Sequence, residues 1–489
     1  MGLIPLLFEL LPEATILRWE VVNGIEFLFF IDKTSLTFLS LVSFISRIII
    51  FYSFSYISPG TSERFALLLF LFVSSMILLI FCWTLPLAIL GWDGLGVSRF
   101  LLVCYYPSTD SFNCSAITGV MNRVGDYFLL IAIVLVFLDS FWSGILWVIL
   151  AALTKRAQFP FSSWLPKAMA APTPVSSLVH SSTLVTAGVF LIIRFPPEGN
   201  VATTLSFLAM ITLTLANLAA CLQNDIKKLI AMSTISHMRI IIFFISLNAI
   251  NSAFIHLVVH ALAKALLFIG AGVVLHSLAT QDIRKIGALI NSSTVLSLMT
   301  LRIFSLCALP FISGFFSKDL CLLLIHQNKI NLFLFIIFWL NLPLSLAYRF
   351  RFLFYVNFKE ASYGVVLQKI SWDLILIRMV PLGLSCIFAG IVLMFLTPLA
   401  INPHSFILLL PIRAPMLILS SLIIYFTFLY KKVFINKLMS YIRSLGFIDM
   451  LVSNTGGVGF NFAWAISSSL EKTWIESPKR SLANYVPLI

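Results

Sequence analysis

The sequence predicts an all-α polytopic membrane protein, a bundle of about 14 transmembrane helices. Three observations carry this. Of 489 residues, 60% are hydrophobic and 10% charged, whereas soluble domains average about 45–50% apolar and about 25% charged. Mean hydropathy is +1.04. Long runs contain no Asp, Glu, Lys or Arg: Phe65–Trp92, Ala168–Ile193, Gly199–Asn224, Ile240–Ala263 and Met379–Ile412, and about 20 apolar residues cross a bilayer. A soluble enzyme, a disordered chain, a coiled coil and a disulfide scaffold are excluded, because no aqueous fold hides this much apolar surface.

In chain order, a short apolar stretch at 3–12 precedes a first full span near 34–57. The charge-free runs follow, divided at charges, prolines and glycines. None alternates apolar and polar residues as a membrane barrel does. The largest polar interruptions lie at 104–121, 353–378 and after 430. From Lys431 onward apolar density falls, and Glu471, Lys472, Glu476, Lys479 and Arg480 crowd around Trp474, the signature of an amphipathic, interfacial segment. The 32 Lys and Arg, for a net charge of +13, are scattered, so loop charge on one side of a membrane is expected and nucleic-acid binding is not. Seven cysteines show no paired spacing and read as small buried hydrophobes.

Ionisable groups inside apolar runs are expensive, at about 2.5–3.5 kcal/mol each on insertion scales, and so point to function. Asp93, in Gly91-Trp92-Asp93-Gly94-Leu95-Gly96, is either such a group or a helix-end residue at the headgroups. Arg123 and Asp126 share a helix face at the opening of a span, as a local ion pair or as part of a site. Lys155 and Arg156 precede Pro160, Pro166, Pro172 and Pro174. Broken helices beside a lysine suit an ion path, the alternative being a lysine reaching the interface. His180 stands among Ser181, Ser182 and Thr183. His256, His260 and Lys264, at i, i+4 and i+8, form one stripe on a helix, a better fit to a proton relay than to a metal site, since no third ligand is evident. Asp225, Lys227 and Lys228 start the next helix. Lys318 and Asp319 follow a second interruption, Pro310 to Ser317. No phosphate loop, CxxC pair or catalytic triad is present.

These segments, with Pro160–Arg194 the most specific and Gly314-Phe315-Phe316-Ser317-Lys318-Asp319 a further match, resemble the antiporter-like chain 5 family of mitochondrial respiratory NADH:ubiquinone oxidoreductase (complex I), itself similar to Mrp-type sodium/proton antiporter subunits. The resemblance implies two inverted repeats with broken helices, at 64–200 and 201–352. N-terminal helices (1–63) precede them, C-terminal transmembrane helices (353–430) follow, and a lateral segment (431–489) closes the chain. The first and last parts are expected to be shortened relative to the family. The resemblance also implies a proton-transfer path through Asp93, paired with Lys155, then His180, His256, His260, Lys264 and Lys318. Arg123, Asp126, Asp225, Lys227 and Asp319 support it. The implied activity is proton translocation across the inner mitochondrial membrane, coupled to electron transfer elsewhere, with no metal or cofactor in this chain. NADH, FMN, iron–sulfur clusters and ubiquinone would belong to the complex as a whole. Implied partners are the other complex I subunits, especially the neighbouring antiporter-like subunit, and lipids such as cardiolipin. An Mrp-type antiporter subunit and a non-conducting structural subunit are the alternatives.

Overall fold

The computed structural model describes residues 14–22, 25–58, 60–106, 108–138, 140–162, 164–278, 280–285, 293–309, 312–318, 331–357, 379–385, 387–389 and 419–423. The expectations placed on residues 1–13, on Asp319, on most of 353–430 and on all of 431–489 lie outside them.

A two-stranded antiparallel hairpin, β1 (Ala14–Val22) and β2 (Ile25–Asp32), opens the described chain. Helices are expected in 1–63, with a first full span near 34–57; that span is present, and the strands at 14–32 are a correction. The strands are rich in β-branched and aromatic residues, and Asn23-Gly24 between them is the strongest short hairpin signal a sequence carries. Hydropathy alone passes over it. Asp32 ends β2 and caps α1 (Lys33–Tyr56) through a capping box with Ser35. There follow α2 (Ser62–Phe81), α3 (Leu85–Val103), α4 (Thr109–Phe137) and α5 (Phe141–Lys155). Then come the short α6 (Trp164–Lys167), α7 (Thr173–Ser181) and α8 (Leu184–Arg194). The remaining labelled helices are α9 (Gly199–Leu222), α10 (Ile226–Ser246), α11 (Ile250–Leu278), α12 (Ser293–Cys307) and α13 (Leu332–Asn357).

Among the described residues, nine helical stretches are long and apolar enough to cross a membrane, with α7 and α8 together forming one of them. Burial sorts them. The apolar window of α11 is wholly buried, and those of α10 and of α7–α8 are 94% buried, against 22% for α4. The core is therefore α7, α8, α10 and α11, and large apolar side chains such as Phe70 and Leu130 face outward, as lipid requires. The segment 104–121 is mostly helix and not a polar break: Ser108 and Ser111 form a capping box that starts α4 at Thr109. Arg123 and Asp126 consequently lie midway along α4 and do not open it.

An ion pair helps tie the hairpin to the bundle, beside the Trp83 N–H bond to Leu28 O and the Phe30–Trp83 ring contact. Arg194, at the end of α8, holds Asp32 with two bonds of 2.7 and 3.0 Å. Burial would raise the Asp32 carboxyl pKa, but bonds from Arg194, Thr34 and Ser35 outweigh it and hold the group below the usual carboxylate range. A depressed acid stabilises the fold above its ordinary value, about 3.9, and that contribution fades as pH falls through the lowered one. Asp32→Asn removes it at neutral pH. Amide hydrogen exchange across residues 14–32 is then expected to speed up relative to α10, and unchanged exchange would show that the pair does not hold the hairpin.

Candidate functional site

The first half of the candidate path is built on α3, α4 and α5. Gly125 brings α4 close to α5, since a Cβ there would lie 2.5 Å from the Thr154 hydroxyl. The next residue of α5, Lys155, is 1% exposed. Its Nζ donates to the Trp92 carbonyl at 2.6 Å and sits 3.7 Å from the centre of the Trp92 ring, so an indole face and a carbonyl take the place of a direct counter-ion. The expected Asp93–Lys155 pair is not formed. Asp93 sits in the middle of α3, not at a helix end, and turns outward to Arg123 at 3.1 Å, a pair with side chains 43% and 65% exposed. Arg123 also reaches Asp126 at 3.3 Å. Asp126 is the more buried carboxylate, its side chain 14% exposed against 43% for Asp93.

Next to Lys155 the chain turns sharply at Ala157, φ 52°. Trp164 Nε1 donates back to the Thr154 carbonyl at 2.8 Å, and Arg239 of α10 donates to the Ala157 carbonyl, a cation capping a helix end. The four prolines of this region lie in the connection and in the first turns of α6 and α7. The break inside the following span falls elsewhere, at Ser182-Thr183 between α7 and α8, with no proline present. Hydroxyls supplement the backbone bonds there: Thr183 Oγ1 donates at 2.9 Å to Leu178 O, which also accepts the Ser182 N–H, and Thr186 Oγ1 donates to Ser182 O at 2.6 Å. Irregular backbone at membrane depth needs such satisfaction. His180, 1% exposed, precedes this break with its ring 6.0 Å from Phe268 of α11.

The second half is built on α10, α11, α13 and a short helical stretch at 313–318. His256, His260 and Lys264 are all buried on α11, the stripe the spacing predicts. Lys264 Nζ donates to Ser233 Oγ of α10. His256 meets His237 of α10 at 3.2 Å and Ser317 at 3.0 Å. Ala308, φ 59°, ends α12 with a turn before helix resumes at 313, so the second interruption is present. Lys318, half-buried, donates to the Leu306 carbonyl, which also accepts from Arg349 NH1 of α13 at 2.6 Å. Asp225 stands at the N-cap position of α10 without a side-chain capping bond, and pairs with Lys228 at 3.0 Å. Lys227 is buried, donating to Ala171 O at 3.1 Å, so it ties α10 to the turn before α7. Among the described residues no group of His, Cys, Asp or Glu is arranged to hold a metal ion.

His237, Arg239 and Arg349 escaped the sequence reading. All are ionisable groups inside apolar helices and are buried, so the rule that exposed Lys264 would have found them had it been applied to α10 and α13 as strictly.

Interrupted spans around buried lysines and histidines define an antiporter-like membrane bundle. The family model described as NADH:quinone oxidoreductase/Mrp antiporter, TM, matches residues 83–142 and 138–342. A protein of Anopheles gambiae named NADH-ubiquinone oxidoreductase chain 5 is 41% identical over 72% of this chain and 65% of its own length. One of the same name from Anopheles arabiensis is 41% identical over 68% of this chain and 94% of its own. The chain thus spans about two thirds of several curated relatives that it matches. Among solved structures, one described as the Mrp complex from Dietzia sp. DQ12-45-1b aligns at TM-score 0.74 and 22% identity, over 96% of this chain and 58% of that one. An archaeal membrane-bound sulfane sulfur reductase aligns at 0.71 and 18%, over 87% and 90%. These two likenesses show the fold. The chain belongs to the NADH:quinone oxidoreductase/Mrp antiporter transmembrane family.

Proposed function

We propose that this chain is a proton-translocating, antiporter-like core subunit of respiratory NADH:ubiquinone oxidoreductase in the inner mitochondrial membrane. The observation that carries the reading is the burial of Lys155 and Lys264 inside the bundle, each beside an interrupted or capped helix, with His256 and Ser317 linking α11 to the stretch that bears Lys318. Lysine suits this role because it exchanges a proton, whereas arginine stays charged. Asp126, assisted by Asp93 and Arg123, would govern the proton affinity of Lys155. Protons would then pass His180, Lys264, His260 and His256 to Lys318, within two inverted repeats at 64–200 and 201–352.

Moving one charge against 100 mV costs about 2.3 kcal/mol. In this reading redox chemistry in other subunits, on NADH, FMN, iron–sulfur clusters and ubiquinone, supplies it, and this chain holds no redox group. The neighbouring antiporter-like subunit and membrane lipids such as cardiolipin are the proposed contacts. Lys318→Met is expected to lower the protons moved per electron in the assembled complex reconstituted in vesicles. Unchanged stoichiometry in a fully assembled variant would overturn the assignment.

A further inference from the structure

Three imidazoles meet where α10 packs on α11. The rings of His237 and His256 lie 5.3 Å apart and nearly parallel, at 26°, and those of His237 and His260 lie 5.2 Å apart. His237 is 1% exposed and His256 2%. The tautomers in this cluster follow from one neighbour. Arg349 NH2 lies 3.1 Å from His237 Nε2, and a guanidinium has only hydrogens to offer. His237 Nε2 therefore accepts, and Nδ1 carries the hydrogen. That N–H donates to His256 Nε2 at 3.2 Å, so His256 carries its own hydrogen on Nδ1 and donates to Ser317 Oγ at 3.0 Å. Ser317 Oγ donates onward to the Gly314 carbonyl at 3.4 Å. Arg349 is itself held in place by the Leu306 carbonyl at 2.6 Å and the Tyr348 hydroxyl at 3.0 Å.

The geometry points to His237 as a positioning residue: with Arg349 locking its Nε2, it fixes the tautomer of His256 so that the His256 Nδ1–H faces Ser317 and the segment carrying Lys318. This rests on the proton-translocating reading above. His237 does not itself take up the proton, because its second nitrogen is already occupied by a donor that stays charged. Its part is to set direction. For His256 to give up its Nδ1 proton, one must arrive on Nε2 along the relay as the His237 bond opens; the ring then holds its hydrogen on Nε2, and the His237 N–H, which only a bare nitrogen accepts, returns it to the Nδ1–H form that faces Ser317. The charged and titratable groups that act on His237 are Arg349, Lys318, His260 and Lys264, besides the hydrogen-bonded His256.

The test uses the assembled complex in vesicles, with assembly checked on native gels. His237→Gln keeps the polarity: the amide oxygen accepts from Arg349 and the amide N–H donates to His256. Its protons per electron are expected within about twofold of the parent. His237→Leu and Arg349→Met each break the lock and are expected to lower the share carried by this subunit by about tenfold, short of the 10²–10⁴ that a positioned acid or base is worth. Should His237→Leu fail to assemble, His237→Asn, whose amide stops short of His256, takes its place. Rescue by glutamine but not by leucine or asparagine supports the inference. Equal loss with glutamine, or no loss with leucine and with Arg349→Met, overturns it. Lys264→Met, measured alongside, separates the two readings. Intact pumping there overturns the proposed function, while lost pumping there with none lost at His237 overturns this inference alone.

Discussion

In the proton-translocating role proposed above, Lys155→Met is expected to abolish proton movement while leaving the chain folded. The side chain lies under the Trp92 ring with its charge at 3.7 Å, and methionine has nearly the same length, packs well on an aromatic face and carries no charge. No direct counter-ion is left behind, because Lys155 is held by the Trp92 carbonyl and ring and not by a carboxylate. The cost should therefore fall on transport, by about a hundredfold or more, read as proton uptake per electron in vesicles against an assembly control. Lys155→Arg is the sharper companion. It keeps a cation over Trp92 but cannot release its proton in the working pH range, so it is expected to be equally inactive. An active arginine variant would make Lys155 a fixed charge and remove it from the path.

Gly314→Ala is expected to have the largest effect on stability. A Cβ at this position falls directly on the backbone carbonyl of Ser305. A backbone atom cannot rotate away as a flexible side chain can, so α12 and the stretch 313–318 must separate. Overpacking of this kind costs about 3 kcal/mol or more. The same separation draws Ser317 from His256 and Lys318 from the Leu306 carbonyl. Thermal unfolding or subunit content on native gels reads the effect, with Gly60→Ala as the control, because nothing lies within 4 Å of a Cβ there. An alanine variant at 314 as stable as that control would contradict the packing described.

Composition and hydropathy were enough to read the membrane bundle, because lipid forces spans to be long and apolar. The stripe of His256, His260 and Lys264 was legible because helical spacing alone puts the three on one face. Other features depended on tertiary contacts that spacing does not encode. Asp93 and Asp126 sit on different helices, and whether Lys155 answers to one or the other depends on how closely Gly125 lets α4 approach α5. Residues 104–121 look polar, yet Ser108 and Ser111 satisfy the first turn of α4 and the helix runs on. The prolines at 160–174 advertise a broken helix, while the interruption itself is made by Ser182 and Thr183, which are unremarkable in a hydropathy profile. His237 gains its meaning only from Arg349, more than a hundred residues away.

That interruption has a consequence for hydration. At Ser182-Thr183 side-chain hydroxyls join the amides on the main-chain carbonyls: Leu178 O accepts from the Thr183 hydroxyl as well as from the Ser182 N–H, and Ser182 O accepts from the Thr186 hydroxyl. An amide hydrogen is fixed by the peptide plane, whereas a hydroxyl hydrogen swings about a single bond. A water molecule arriving between the two half-helices can be given an oxygen lone pair by a twist of one torsion, with the main chain left where it is. Polar partners at this break can therefore be re-aimed by turning hydroxyls, a far lighter movement than hinging a helix.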